Sequence, residues 1–481
     1  MLAQLILGHM DSKTFRKHAH ELVDWMADYL ETIDSKPVKS QVLPGQIKQK
    51  LPASPPESSE PFELLIKDLN DKIMPGVTHW QHPNFHAYFP GNSSYPSILG
   101  EMVTSTLAAQ CMVWETSPAA AELEELLMDW LKEMMDLPRN WQGVIQDTAS
   151  TATLVALISA REKVSNFEIN RKGFGSRQLR IYSSAQIHSS IDKAVKIAGF
   201  GIENLVKVDV DEELAMIPSA LTKAIEEDLE KGYMPCAVVA GAGTTGTLAF
   251  DPTEEIGKIC QQFNLWYHVD AAYAGSAMIV PEERYLMPGL DKADSYVFNP
   301  HKWLFTNFDC TAYFVRDKET LIKTFEILPE YLKTGTYGKV NDYRDWGIQL
   351  GRRFRALKLW FVIRTYGVDG LRAEIRAHIK FTRWLHDQIE EHDRFQVLAP
   401  QRLNVIVFRY YNPSVTTLNP INQEILESIN QSGEAYLTHT KIGEDYAMRI
   451  VLGQTNLERK HVEKVWQLVQ EHTEKIAGNL H

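Results

Sequence analysis

Apolar side chains recur at helical spacing over residues 11–33, where Phe15, Ala19, Leu22, Met26, Tyr29 and Ile33 share one face. Asp11 stands where an N-cap belongs. The pattern then breaks. Residues 34–61 are rich in Pro, Ser and Lys, too rich in proline for a long helix. An arm of this kind is expected to lie across another surface, such as a partner subunit. The clearest helix follows Ser117-Pro118, with Ser117 as N-cap and Pro118 in the first turn. Leu123, Leu126, Leu127, Trp130, Leu131, Met134 and Met135 line one face, and Pro138 stops it.

From about residue 144 to 315 the pattern alternates. "RIYSS", "CAVVAGAG", "LWYHVDA" and "SYVFNP" are short, apolar and rich in β-branched or aromatic residues. Between them run helical stretches such as "IPSALTKAIEEDLEKG" and "DPTEEIGKICQQF". The alternation predicts an α/β domain with a mainly parallel, helix-covered sheet. After "GRRFRALKLWFVIRTYG" comes a long amphipathic helix, then "FQVLAP", "NVIVFRYY" and "YAMRIVLG", the pattern of a small α+β domain. The expected division is 1–91 for the helical segment and arm, 92–364 for the large domain and 365–481 for the small one. No internal repeat is visible.

Composition narrows the function. Of 481 residues, 50 are basic and 62 acidic, a net charge of −12. That balance argues against nucleic acid or an anionic membrane as partner. No apolar run approaches the roughly 18 residues of a membrane span. Cys111, Cys236, Cys260 and Cys310 form no C-x-x-C pair. They read as reduced thiols of a cytosolic protein. The opening "MLAQLILGHM" lacks signal-peptide features. Its "GHM" resembles a cloning junction and Met10 is equally a candidate start, so the fold is read from residue 11.

Candidate chemistry begins with a decoy. "GAGTTG" at 241–246 follows a strand, and the next strand ends in Asp270, 24 residues past Gly246. This is close to the dinucleotide fingerprint and makes an NAD-dependent dehydrogenase a rival. The fingerprint, however, opens its helix inside the glycine run. Here "TLAFDP" intervenes. A second reading starts from Asp270 and from Lys302, 32 residues on in "FNPHKWL". Both sit at the ends of neighbouring parallel strands, where open α/β sheets bind ligands. A carboxylate and a lysine so placed suit pyridoxal 5′-phosphate. The lysine forms an imine with the aldehyde, and the carboxylate keeps the ring nitrogen protonated. An ordinary salt bridge is the plainer alternative. Thr148, Ala149, Ser150 and Thr151 open an apolar helix whose hydroxyls and free N–H groups suit a phosphate, or simply cap the helix. His188 follows a strand and could stack on a flat ring, although a lone histidine is more often structural.

Taken together these segments resemble the group II pyridoxal-phosphate decarboxylases, nearest to the aromatic-L-amino-acid decarboxylases. The resemblance runs from about residue 11 to the C-terminus. It rests on "HPNFHAYFP", "SPAAAELE", "TASTATLVAL", "IHSSIDKA", "HVDAAYAGSA", "FNPHKWL", "NFDC", "YLK" and "GRRFRALKLW". It implies the PLP-dependent transferase fold of type I, aspartate aminotransferase-like. Lys302 would carry the imine, Asp270 would pair with the ring nitrogen, and His188 and Ala272 would flank the ring. Thr245 would approach the ring substituents. Thr148, Ala149, Ser150, Asn299 and His301 would hold or flank the phosphate. Tyr331 would lie on a loop with Gly335 and Gly338, act near a subunit interface of an obligate homodimer, and help protonate the product carbanion. No metal is implied.

By the same resemblance Trp80, Tyr88, Phe89 and Pro90 would wall the side-chain pocket, with Met112 and Gly351 as further substrate contacts. A glycine at 351 leaves room for an indole or a catechol, which favours tryptophan or another large aromatic substrate. Met112 stands where animal dopa decarboxylases have Phe, and Gly91 where they have a hydroxyl residue. Asp147 replaces a glycine beside the phosphate cup. Aldehyde synthases of the family typically replace the loop tyrosine or the stacking histidine. The presence of both Tyr331 and His188 favours simple decarboxylation to the amine.

Overall fold

The computed structural model describes residues 10–327 and 338–478. A seven-stranded sheet forms the centre of the large domain: β1 (Gln142–Gln146), β2 (Leu179–Ser184), β3 (Leu205–Val208), β4 (Met234–Gly241), β5 (Trp266–Asp270), β6 (Ser295–Phe298) and β7 (Thr311–Val315). The spatial order is β1-β7-β6-β5-β4-β2-β3. All pairs from β3 to β6 are parallel, and β7 runs antiparallel to both its neighbours. The parallel strands are buried on both faces, which is why they read as continuous apolar runs. One core packs helices Pro118–Met135, Pro218–Glu230 and Thr253–Phe263 on the sheet. A second core packs Ala149–Val164 and Ser190–Ile197 on the other face.

The small domain is a four-stranded antiparallel sheet in the order β10-β11-β9-β8, from β8 (Phe395–Val397), β9 (Val405–Tyr410), β10 (Thr438–Ile442) and β11 (Asp445–Val451). The helix Arg355–Glu390 joins the two domains and bends at Gly367, whose φ is +64°. The division expected at 364/365 lies on this helix, just before the bend.

Local expectations met different outcomes. Asp11 caps the first helix, Ser12–Glu31, by accepting from Thr14 N at 2.7 Å. Ser117 precedes Pro118–Met135, yet its side chain makes no capping hydrogen bond. Leu126 points to solvent while Leu127, Leu131, Met134 and Met135 are buried. The proline-rich arm lies across the chain's own small domain. Val38 is buried, its N–H donates to Gly433 O (2.7 Å), and its carbonyl accepts from His79 N (2.9 Å).

Candidate active site

Because β7 reverses direction twice over, β1 points the same way as β2, β4, β5 and β6. The carboxyl ends of these strands therefore share one edge, and the loops leaving them converge. Thr148, Ala149 and Ser150 follow β1, His188 follows β2, and Thr245 follows β4. Asp270 ends β5, with Ala272 just beyond, and Asn299, His301 and Lys302 follow β6. All ten line one cavity of about 210 Å³, joined by Phe89 from outside the sheet.

Lys302 sits in the four-residue helix Pro300–Trp303. Its Nζ lies 5.2 Å from the centre of the Phe89 ring. Burial pushes its pKa down to about 8, against an upward pull from Asp270 and a further push down from Arg449. An amine in that range is part neutral near physiological pH and can act as a nucleophile. Asp270 is itself buried and its Oδ1 accepts from Ala272 N (3.0 Å). That bond orients the carboxylate and turns the small Ala272 toward the cavity. His188 Nδ1 accepts from Ser190 N (3.1 Å), which leaves the ring proton on Nε2. Burial holds its pKa below that of a free imidazole, opposed by Asp270.

The helix Ala149–Val164 opens with unused donors. Thr148 N is taken by Asp147 Oδ1 (2.6 Å) and Thr151 N by Thr148 Oγ1 (3.3 Å). The N–H groups of Ala149 and Ser150 find no acceptor among the described residues. Around them, His301 Nδ1 accepts from Cys310 N (3.0 Å), so Nε2 carries the proton; burial drops its pKa to about 3, and it stays neutral. Asn299 Oδ1 accepts from Thr311 Oγ1 (2.7 Å), freeing its amide N–H groups. Together these form a cup of neutral donors at the positive end of a helix dipole, suited to a phosphate. The "GAGTTG" loop folds differently from a dinucleotide turn. Gly243 N and Thr244 N both donate to Ala249 O (3.0 and 2.9 Å), closing a hairpin-like turn, and the next helix begins only at Thr253.

The other expected contacts lie elsewhere. Tyr88 borders an adjoining cleft of about 820 Å³, which meets the first cavity at Thr245. Trp80 stacks on Tyr88 with ring centres 5.9 Å apart, and the two are 41% and 49% exposed. Pro90 is buried outside the cavity. Met112 and Gly351 lie near each other, where Arg352 O accepts from Cys111 N (3.0 Å), and neither lines the Lys302 cavity. Tyr331 and Gly335 lie outside the described residues.

Phe308 and Arg449 are among the residues that escaped the sequence reading. Phe308 borders the cavity, edge-on to His301 at 4.8 Å. Arg449, on β11, is buried with its guanidinium 4.7 Å from the centre of the Phe89 ring. Its Nη1 donates to Tyr88 O, whereas Nε and Nη2 have no partner. Burial lowers its pKa to about 10, so it stays charged at neutral pH. A charged residue within the apolar run of β11, Tyr446–Val451, was the available signal.

Comparison with known proteins decides the family. The model of the pyridoxal-dependent decarboxylase conserved domain matches residues 44–411. The chain belongs to this family. Tyrosine decarboxylase 2 of Narcissus pseudonarcissus is 41% identical to the decarboxylase, covering 98% of this chain and 97% of that protein. Phenylacetaldehyde synthase of Arabidopsis thaliana is also 41% identical, covering 97% of each. The crystal structure of Oryza sativa TDC with PLP and tryptamine superposes with a TM-score of 0.94 at 36% identity, covering 97% of this chain and 99% of that one. The decarboxylase is thus a carboxy-lyase with pyridoxal 5′-phosphate as cofactor. Its site fits that group: an unpaired amine, an oriented carboxylate and a cup of open donors surround one cavity.

Proposed function

We propose that this enzyme removes the carboxylate of an aromatic L-amino acid to give the arylalkylamine and carbon dioxide. The observation that carries the proposal is the half-buried, part-neutral amine of Lys302, in one cavity with Asp270 beside the Phe89 ring. Phe89 stacks on Tyr273 (ring centres 3.8 Å apart), which stacks on Trp303 (5.2 Å). This rigid aromatic ladder favours a flat apolar side chain over a charged one. Relatives named for tyrosine and phenylacetaldehyde, and one solved with tryptamine, support the same class. Tryptophan is our first assignment within it, supported by the relative solved with tryptamine. An amine-product screen of purified holoenzyme over tryptophan, dopa, tyrosine, phenylalanine, histidine and glutamate tests this. Turnover of histidine or glutamate ahead of every aromatic substrate would overturn it.

When bound, pyridoxal phosphate supplies an aldehyde for imine formation and a cationic ring that accepts the electron pair of the broken bond. Lys302 presents the amine that would take up the aldehyde, and its Nζ exchanges protons near neutral pH. Asp270 keeps the ring nitrogen protonated. His188, with its proton on Nε2, and Ala272 border the space for the flat ring. The N–H groups of Ala149 and Ser150, with His301 and Asn299, would hold the phosphate. Phe89, Ile187 and Phe308 keep water from the departing carboxylate and disfavour its charge relative to the transition state.

Arg449 is the cation available to anchor the substrate carboxylate during binding, since two of its donor nitrogens have no protein partner. Arg449→Gln is expected to raise KM about tenfold or more while changing kcat less, as removal of a charge-assisted contact does. Steady-state kinetics with the preferred substrate, set beside the inhibition constant of the arylalkylamine product, which lacks the carboxylate and should be little changed, checks this; equal KM values for variant and wild type would rule it out.

We further infer a homodimer. Tyr95, Leu99, Met102, Val103 and Leu107 leave an exposed apolar stripe on the helix Tyr95–Leu107. A partner covering it could bring Met112 and Gly351 to the cavity. Four free, buried cysteines suit a reducing compartment, and we place the enzyme in the cytosol. No helix among the described residues is long and apolar enough to cross a membrane. Oxygen-dependent aldehyde formation is the competing reaction, given the phenylacetaldehyde synthase relative. Tyr331→Phe is expected to divert product from amine to aldehyde and ammonia, read by product chromatography. Unchanged amine yield without aldehyde would remove Tyr331 from the protonation step.

A further inference from the structure

Asn92 is fully buried and joins two distant parts of the chain, 301–302 and 453–455. Its backbone N–H donates to His301 O (3.1 Å). Its Nδ2 donates to Lys302 O and to Gly453 O, each at 2.8 Å. Its Oδ1 accepts from Thr455 N and Thr455 Oγ1, each at 3.1 Å. A carboxamide offers two N–H donors and two lone pairs, and all four are used here. Gln81 braces the same stretch, donating from Nε2 to Gly91 O (2.6 Å) and accepting Ser93 N at Oε1 (3.0 Å). The carbonyls of His301 and Lys302 are thus gripped from one side by a residue that lines neither the cavity nor the cleft.

The grip matters because the helix Pro300–Trp303 has only four residues. A single turn does not hold its own geometry in water, so its position is set by what packs against it. Lys302 N bonds locally, to Asn299 O (2.9 Å). Its carbonyl is held by Asn92, and through Asn92 by residues 453–455, which follow β11 in the small domain.

We infer that Asn92 is a positioning residue for Lys302: its carboxamide ties the Lys302 backbone to the small domain and fixes the point from which the amine reaches the cofactor aldehyde. The inference rests on Lys302 as the imine-forming residue. A shift of about 1 Å in a reacting group can cost on the order of a hundredfold in rate. The effect should therefore fall on imine formation and kcat rather than on substrate binding.

The test compares wild type with Asn92→Asp, Asn92→Ala and Thr455→Val. Asn92→Asp keeps the shape and the Oδ1 acceptor but turns a carboxylate oxygen on two carbonyl oxygens. Thr455→Val removes one hydroxyl contact and leaves the Lys302 carbonyl held. Three quantities are read: hydrogen exchange of residues 299–304 in the apoenzyme, the rate at which apoenzyme captures pyridoxal phosphate by absorbance, and kcat with KM of the holoenzyme. Both Asn92 variants are expected to exchange faster over 299–304 and to lose about ten- to a hundredfold in capture rate and kcat, with KM within about twofold of wild type. Thr455→Val should stay near wild type in all three. The inference is overturned if Asn92→Asp keeps wild-type capture and kcat, or if any losses merely track the unfolded fraction in thermal melts. The underlying role of Lys302 is judged separately, by borohydride reduction of the wild-type holoenzyme and mapping of the tagged peptide.

Discussion

Lys302→Ala is expected to give a folded protein that has lost its activity. The loss should be about 10⁴-fold or more in kcat/KM, on the order of 5.5 kcal/mol of transition-state stabilisation. The fold should survive because the lysine amine is costly where it lies. Burial lowers its pKa to about 8, so the ammonium is disfavoured in its native place. Removing it relieves that penalty and leaves a small void beside Phe89. Cofactor should still enter the cup formed by Ala149, Ser150, His301 and Asn299, but without a covalent tie. Dialysis should strip it from the variant and leave it on wild type. Borohydride should fix the cofactor to the peptide carrying Lys302 in wild type and to no peptide in the variant. Retention of even a tenth of wild-type activity would show that another group does this work.

Asp270→Asn should produce a different signature. The side chain keeps its shape and its Oδ1 contact with Ala272 N, so the site stays assembled. What goes is the negative charge. Without it the ring nitrogen is no longer held protonated, and kcat should fall about 10²- to 10³-fold, the scale of losing one preorganised electrostatic partner. The charge also acts on Lys302. An adjacent anion stabilises the ammonium and raises its pKa, so removing the anion must lower the pKa below about 8. Imine formation needs the neutral amine. The pH midpoint for cofactor capture by the apoenzyme should therefore move to lower pH even as turnover collapses. His188, which Asp270 also pulls upward, should shift the same way. Stopped-flow absorbance across a pH series measures the midpoint. A midpoint that stays put or moves up would mean that Asp270 does not face the amine as described.

Much of this site was legible because its residues lie just past recognisable strands. Alternating strands and helices put the ends of β5 and β6 side by side, and so Asp270 and Lys302. The same logic exposed the helix N-terminus at Ala149 and the histidine after β2. The elements that went unnamed were those whose local pattern is weak. β10 is "THTKI", polar by alternation with only one side covered, and β1 and β7 become strands by pairing with each other. β7 in particular reverses the sheet direction, which no local residue signals.

Sequence by itself determined the layered α/β architecture and the family, and set Asp270 and Lys302 at neighbouring strand ends, because strand periodicity and chain order place those groups with few alternatives. Tertiary structure alone decided what surrounds them. Arg449 meets Tyr88 across 361 residues and Asn92 meets Lys302 across 210. Met112 and Gly351 gather at a spot away from the lysine cavity. Contacts at such separations depend on how distant segments of the chain pack together, within the large domain as well as across to the small one, and burial there turns ordinary polar side chains into anchors that no local pattern distinguishes.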